Sequence, residues 1–350
     1  MLPTPVMEQV QAELLDFNNL GVSIIEVSHR SPDFDQLINE TDVLLRELMS
    51  LPDNYKICYV AGGARMQFSG MPMNLINRVP SRKALYFETG NFAGLARKEA
   101  ERYANVKIVA SGEATNFDRI PDFSPDDIDQ DAAYVHLTSN NTLYGTRWNE
   151  FPDTGDVPIV ADSTSELLSR DIDFTQFGAI YAGFQKNLGP PGIALVVIRE
   201  DLLGHAMPET PFLLNYEEHV KSHSMANTID TFAIYVLKLV LEWKKAQGGL
   251  SALEKRNDEK AQLLYDCLDA SDFYRAVAHP EHRSKMNVTF HFPNDELLAK
   301  FVKEAQANAL YALKGHRKVG GARASIYNAM PREGVQALVD FMKEFERVNG

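Results

Sequence analysis

The chain has 350 residues, 45% of them hydrophobic, with 35 basic against 48 acidic side chains and a net charge of −13. That length and composition allow a large buried core in one or, on the usual size of domains, two units. The negative surface repels nucleic acid and anionic membranes, which excludes both as partners and means that clustered arginines need a local reason. Cys58 and Cys267 have neither metal-ligand spacing nor a disulfide framework, as expected of a protein from a reducing cytoplasm. The opening MLPTPVMEQVQAELL lacks the basic and apolar regions of a signal peptide. No apolar run approaches the roughly 18 residues of a membrane span.

Pro3 and Pro5 open a helical pattern that stops at Asn19-Leu20-Gly21. A second amphipathic helix is predicted from Asp33 to Met49, with Leu37, Leu44, Leu45 and Leu48 on its apolar side. Tyr55 to Val60 then reads as a strand, Ala61-Gly62-Gly63 as a turn, and Met66 to Ile76 as a helix. Further strands are expected at Ala84–Phe87, Val106–Ala110, Ala133–Leu137, Pro158–Ala161, Ala179–Ala182 and Ile193–Ile198, with a helix at Phe92–Tyr103. Strands alternating with helices predict an α/β fold with a mainly parallel sheet. A long helix from Asp230 to Gln247 ends at Gly248-Gly249, where a domain boundary is placed, giving a large unit over 1–248 and a smaller α/β unit over 249–350. The second unit alternates again: helix Leu250–Asp269, strand Asn287–Phe292, helix Glu296–Ala307, strand Arg323–Tyr327, helix Glu333–Arg347.

Two residues at predicted strand ends carry the chemistry. Asp162 follows Val157-Pro158-Ile159-Val160-Ala161, and Lys186 follows Ala179 to Gln185. In open α/β sheets ligands gather at the carboxyl ends of strands. A lysine there suits covalent capture of the aldehyde of pyridoxal phosphate, and an aspartate suits pairing with its protonated ring nitrogen. Taken singly, each residue also reads as a helix cap or an exposed turn lysine. The glycine turn before Ala64-Arg65 points free amides and a positive helix end at any anion, though the same spacing fits a plain strand-to-helix turn.

The segments ADSTSELLSR and YAGFQKNLGPPG, together with EVSHRSPDF, HLTSNNTLYGT, HSMANTIDTF and GHRKVGGARASIYNAM, resemble those of the class-V aminotransferases. They run in the same order from near residue 20 to residue 330, over nearly the whole chain. The resemblance implies a fold-type I pyridoxal-phosphate-dependent transferase. Its large domain would hold a seven-stranded sheet, and a smaller C-terminal domain would follow. It implies amino transfer between glutamate and 3-phosphohydroxypyruvate, a step of serine biosynthesis, with 4-phosphohydroxythreonine of pyridoxine biosynthesis as a further family substrate.

By similarity, Lys186 is the cofactor lysine and proton shuttle, and Asp162 the partner of the ring nitrogen. Gln185 and Thr142 hold ring substituents or phosphate, and Ala64 and Arg65 hold phosphate through the backbone. Phe92 takes the place of a stacking tryptophan with less aromatic area. Asn227 and Thr228 reach the phosphate from a neighbouring subunit, so a homodimer with shared sites is implied. Arg323 binds the α-carboxylate, while His29, Arg30, Arg65, His316 and Arg317 receive the second anion, for which the guanidinium fork is well shaped.

One departure stands out. The family's usual Asn-Phe-Ser-x-Gly-Pro opening has no counterpart, since Met1-Leu2-Pro3 corresponds to the residues just after it. The rival reading that follows is a cofactor-binding protein of the same fold with impaired or different activity. A cysteine desulfurase is disfavoured because neither cysteine sits on a loop suited to a reactive thiol. A nucleotide-dependent oxidoreductase lacks its Gly-x-Gly-x-x-Gly after a first strand.

Overall fold

A computed structural model of the chain describes residues 2–350. Seven strands form the larger sheet: β1 Tyr55–Ala61, β2 Lys83–Glu88, β3 Asn105–Ser111, β4 Tyr134–Thr138, β5 Ile159–Asp162, β6 Phe177–Gly183 and β7 Ile193–Arg199. Their order across the sheet is β1-β7-β6-β5-β4-β2-β3. All neighbours are parallel except β7, which runs antiparallel to β1 and β6. The reason is local. Only the short 184–192 connection joins β6 to β7, too little chain for the dozen or so residues of a parallel crossover. The turn that reverses the chain is therefore the one that carries Lys186.

β4, β5 and β6 are buried along their whole length, as strands covered on both faces must be. One face meets α2 (Pro32–Met49) and α6 (Thr231–Ala246), with Phe87, Leu137, Ala161 and Ile180 in its core. The other meets α3 (Gly63–Leu75) and α4 (Asn91–Ala100), with Tyr86, Tyr134, Val160 and Tyr181. A second, antiparallel sheet of β8 Arg275–Ala276, β9 Asn287–His291 and β10 Ala322–Ser325 packs with α8 (Asp295–Ala307) and α9 (Arg332–Asn349) around Phe290 and Phe301. Helix α7 (Gly249–Asp269) belongs to both cores: Leu250 and Leu253 lie in the larger one, Leu264 and Leu268 in the smaller.

Two local expectations are corrected. The first helix stops at Glu13 rather than continuing to Asn19, because Asn18 and Asn19 adopt positive φ and the Asp16 carboxylate accepts the Gly21 amide, closing a turn instead. Helix α3 starts three residues earlier than expected, at Gly63, since Gly62 at φ +89° and Gly63 at φ +65° allow an abrupt entry from β1.

Lys244 of α6 is fully buried, and its ammonium donates to the carbonyl of Leu168 at 3.3 Å. Leu168 itself is held at φ 57°. Burial, and secondarily the charge of Lys260, lowers the Lys244 pKa to about 7. A lysine depressed in this way binds fewer protons folded than unfolded between pH 7 and its ordinary 10.5, so stability rises with pH across that window. The cost to folding at neutral pH is roughly 4 kcal/mol. Replacement Lys244→Met should therefore stabilise the protein by roughly 1–4 kcal/mol at pH 7 and flatten the slope between pH 7 and 9. Urea unfolding across that range checks this, and an unchanged slope would show that Lys244 stays charged in the fold.

Candidate active site

A cavity of about 380 Å³ opens at the carboxyl ends of β4, β5 and β6, within the usual size of small-molecule sites. Pairing of β4 with β5 sets Thr138 beside Asp162, and pairing of β5 with β6 sets Asp162 beside Tyr181. Asp162 is buried at the end of its strand, and Lys186 enters from the reversing turn three residues past the end of β6. The Lys186 ammonium donates to Thr142 Oγ1 at 2.5 Å and lies 5.8 Å from the centroid of the Phe92 ring.

The two charges work against their surroundings and for one another. Burial raises the Asp162 carboxyl, opposed by the Thr164 hydroxyl, by the Thr164 amide at 3.0 Å and by the charge of Lys186. Burial lowers Lys186 to about 8; Asp162 opposes that shift and Arg323 adds to it. Arg323 on β10 is thus close enough to act on the amine, although it belongs to the smaller sheet. Its Nε is buried without a hydrogen-bond partner.

The far wall is the start of α3. Gly62 donates its amide to Gly192 O at 3.0 Å, and a Cβ at Gly62 would stand 2.9 Å from Met66 Cβ. No side chain caps this helix, so the first-turn amides of Gly63, Ala64 and Arg65 stand at the cavity wall with the positive end of the dipole. Thr138 Oγ1 and Asn140 Oδ1, both in the lining, are also buried and unpartnered. A bare helix start, a buried carboxylate, an amine of lowered basicity and unpartnered polar atoms between them fit pyridoxal phosphate: an anion at one end, a ring cation at the other, an aldehyde within reach of the lysine.

The structure brings together Ala64, Arg65, Phe92, Thr142, Asp162, Gln185 and Lys186 around this cavity. Within one chain, His29, Arg30, Asn227, Thr228, His316, Arg317 and Arg323 do not line it. His29 and Arg30 precede α2, with Arg30 exposed. Asn227 donates its side-chain amide to Thr228 O at 3.3 Å on the segment before α6. His316 and Arg317 sit on the loop between α8 and β10, which Lys318 ties to Asn91, next to Phe92, at 2.6 Å. Sequence reading passed over Thr138, Asn140, Thr164 and Ser165. The signal was present: Thr138 and Asn140 stand four and two residues before Thr142, and Thr164 stands two after Asp162 in a motif already singled out.

The aminotransferase class-V family model matches residues 1–338. The chain belongs to the class-V aminotransferases. Relatives of this class-V aminotransferase include the phosphoserine aminotransferase of Bacillus cereus, 49% identical over 349 residues, with 100% of this chain and 96% of the relative covered. That of Desulfosudis oleivorans is 50% identical over 351 residues, with the same coverage. Among solved structures, phosphoserine aminotransferase from Bacillus circulans subsp. alkalophilus superposes with a TM-score of 0.96 at 42% identity, covering 100% of this chain and 97% of that one. The pyridoxal-phosphate-bound enzyme from Trichomonas vaginalis gives 0.93 at 37%, covering 98% and 97%. The cofactor of this class-V aminotransferase is accordingly pyridoxal phosphate.

The charge balance at Lys186 is open to test. Covalent capture of pyridoxal phosphate by the cofactor-free protein should speed up with pH around a midpoint near 8, because only the neutral amine reacts. Arg323→Leu should move that midpoint up and Asp162→Asn should move it down. Stopped-flow absorbance measures it; a midpoint near the ordinary 10.5 would contradict the geometry.

Proposed function

We propose that this chain is a phosphoserine aminotransferase, moving the amino group of glutamate to 3-phosphohydroxypyruvate by a ping-pong exchange that yields 2-oxoglutarate and O-phosphoserine. The observation that carries the reading is the convergence of Lys186 and Asp162 on one cavity, with the Arg323 charge acting on the amine, in a chain about half identical to enzymes of that name over its whole length.

When bound, pyridoxal phosphate supplies the electron sink that makes the substrate Cα–H acidic. The Asp162 carboxylate holds the ring nitrogen in its protonated form, the state in which that sink is deepest. Amides of Ala64 and Arg65 grip the phosphate, joined by Asn227 and Thr228 of a second subunit in a homodimer. Phe92 lies against the ring, and Thr142 and Gln185 hold its substituents. Displaced by substrate, Lys186 Nζ takes the proton from Cα and returns it on the cofactor side. Thr142 Oγ1, 2.5 Å away, holds that amine in line.

Arg323 binds the α-carboxylate, a role supported by its unpartnered buried Nε. Arg65, His29, Arg30, His316 and Arg317 receive the second anion, phosphate in one half-reaction and γ-carboxylate in the other. We assign residues 1–248 to the large domain and 249–350 to the small one, with the protein working in the cytoplasm.

Purified protein given both substrates should release O-phosphoserine and 2-oxoglutarate in equal amounts, with parallel double-reciprocal plots. Arg323→Lys should raise KM for both substrates about 10- to 100-fold, as loss of a bidentate pair costs about 1.5–3 kcal/mol. Cofactor bound without product would favour the inactive cofactor-binding protein. A KM change for one substrate alone would remove Arg323 from the α-carboxylate.

A further inference from the structure

Between β8 and β9 the sequence Ala278-His279-Pro280-Glu281-His282-Arg283 makes a tight turn, with a single 3₁₀ turn over Pro280–His282. The turn is fixed from several sides. The His279 amide donates to Asp118 O at 2.7 Å, the Asn149 side chain donates to Glu281 O at 2.5 Å, and Arg283 forms a two-pronged pair with Asp269 at 2.5 and 2.6 Å. One nitrogen of each histidine and a carboxylate oxygen of Glu281 lie within 4.8 Å of one another. The Nδ1 atoms of both histidines are buried and have no hydrogen-bond partner.

An unpartnered buried ring nitrogen is costly, and two in one short turn need an explanation. Merely solvated surface histidines do not supply one, because these atoms are shut away from water. Neutral imidazole nitrogens with one carboxylate are the donor set of zinc-class ions rather than of magnesium or calcium. The adjacent Arg119 charge is offset by its two hydrogen bonds to Asp118, at 2.8 and 3.0 Å. His282 also borders a second cavity, of about 350 Å³, whose wall carries Asp122 and Glu150. That wall favours approach of a cation.

We propose that His279, Glu281 and His282 form a site for a divalent transition-metal ion of the zinc class, with three protein ligands and one position open toward the Asp122–Glu150 cavity. A metal held there fastens the β8–β9 turn, already tied to Asp118 and Asn149, against the larger sheet's loops. The site is separate from the cofactor cavity, sharing no lining residue with it, and serves conformation rather than amino transfer.

The probe is Co²⁺ added to the holoenzyme, read by visible absorption to the red of the cofactor band. One ion per chain with the intense bands of a four-coordinate site is expected, displaced by Zn²⁺ and not by Mg²⁺. The double substitution His279→Asn/His282→Asn should weaken binding by about tenfold or more and leave transamination unchanged. Zn²⁺ should raise the Tm of the unaltered protein and not of the variant, as binding to the folded state alone requires. Absence of those bands in the unaltered protein, or the same affinity and spectrum in the variant, would overturn the assignment.

Discussion

The site depends on one electrostatic arrangement: a buried carboxylate and a half-buried amine delivered from adjacent strand ends of the same sheet. Each is driven toward neutrality by burial, and each keeps the other partly charged. The sheet enforces the proximity. Asp162 is the last residue of a fully buried parallel strand, and Lys186 lies in the turn whose shortness makes the next strand antiparallel. Had β6 and β7 been joined by a helical crossover, the lysine would have been carried off over a face of the sheet. The architecture that reverses one strand and the chemistry that needs an amine are thus the same feature.

The two ends of the cavity are built differently. At the Asp162 end the field comes from a side chain, while at the α3 end it comes from the backbone, through a helix start left uncapped behind two positive-φ glycines. Between them stand polar atoms with nothing to bond, Thr138 Oγ1 and Asn140 Oδ1. Unpaired buried groups are costly, and a fold tolerates them where a ligand completes them. Arg323 extends the same logic to the smaller sheet, whose guanidinium acts on an amine held by the larger one.

Much of this was legible in the sequence. Period and turn residues located all seven strands of the larger sheet; the central ones, buried throughout, read as apolar runs between glycines, prolines and polar clusters. Position singled out Asp162 and Lys186 as charged residues at strand ends, and the family-like segments around them decided between that use and a helix cap or an exposed turn lysine. Element ends were less legible, since they turn on backbone angles: positive φ at Asn18 and Asn19 ends one helix early, and at Gly62 starts another early. Thr138 and Asn140 lie in a segment the sequence already marked, but a threonine and an asparagine at a strand end have many uses, and the missing hydrogen bonds are what single them out. Lys244 and Lys260 were equally unreadable, being ordinary exposed-face residues by sequence until packing buries them.

The most direct test is the absorbance of the cofactor-loaded protein in a single half-reaction with glutamate, compared with Lys186→Ala. If Lys186 and Asp162 cooperate as their placement requires, the visible band of lysine-bound cofactor converts on adding glutamate to the near-ultraviolet band of the aminated form, and 3-phosphohydroxypyruvate restores it. The variant would lack the lysine-dependent band and make no such cycle. A band of the same position and strength in Lys186→Ala, or one in the unaltered protein that ignores glutamate, would contradict the central role given to this pair.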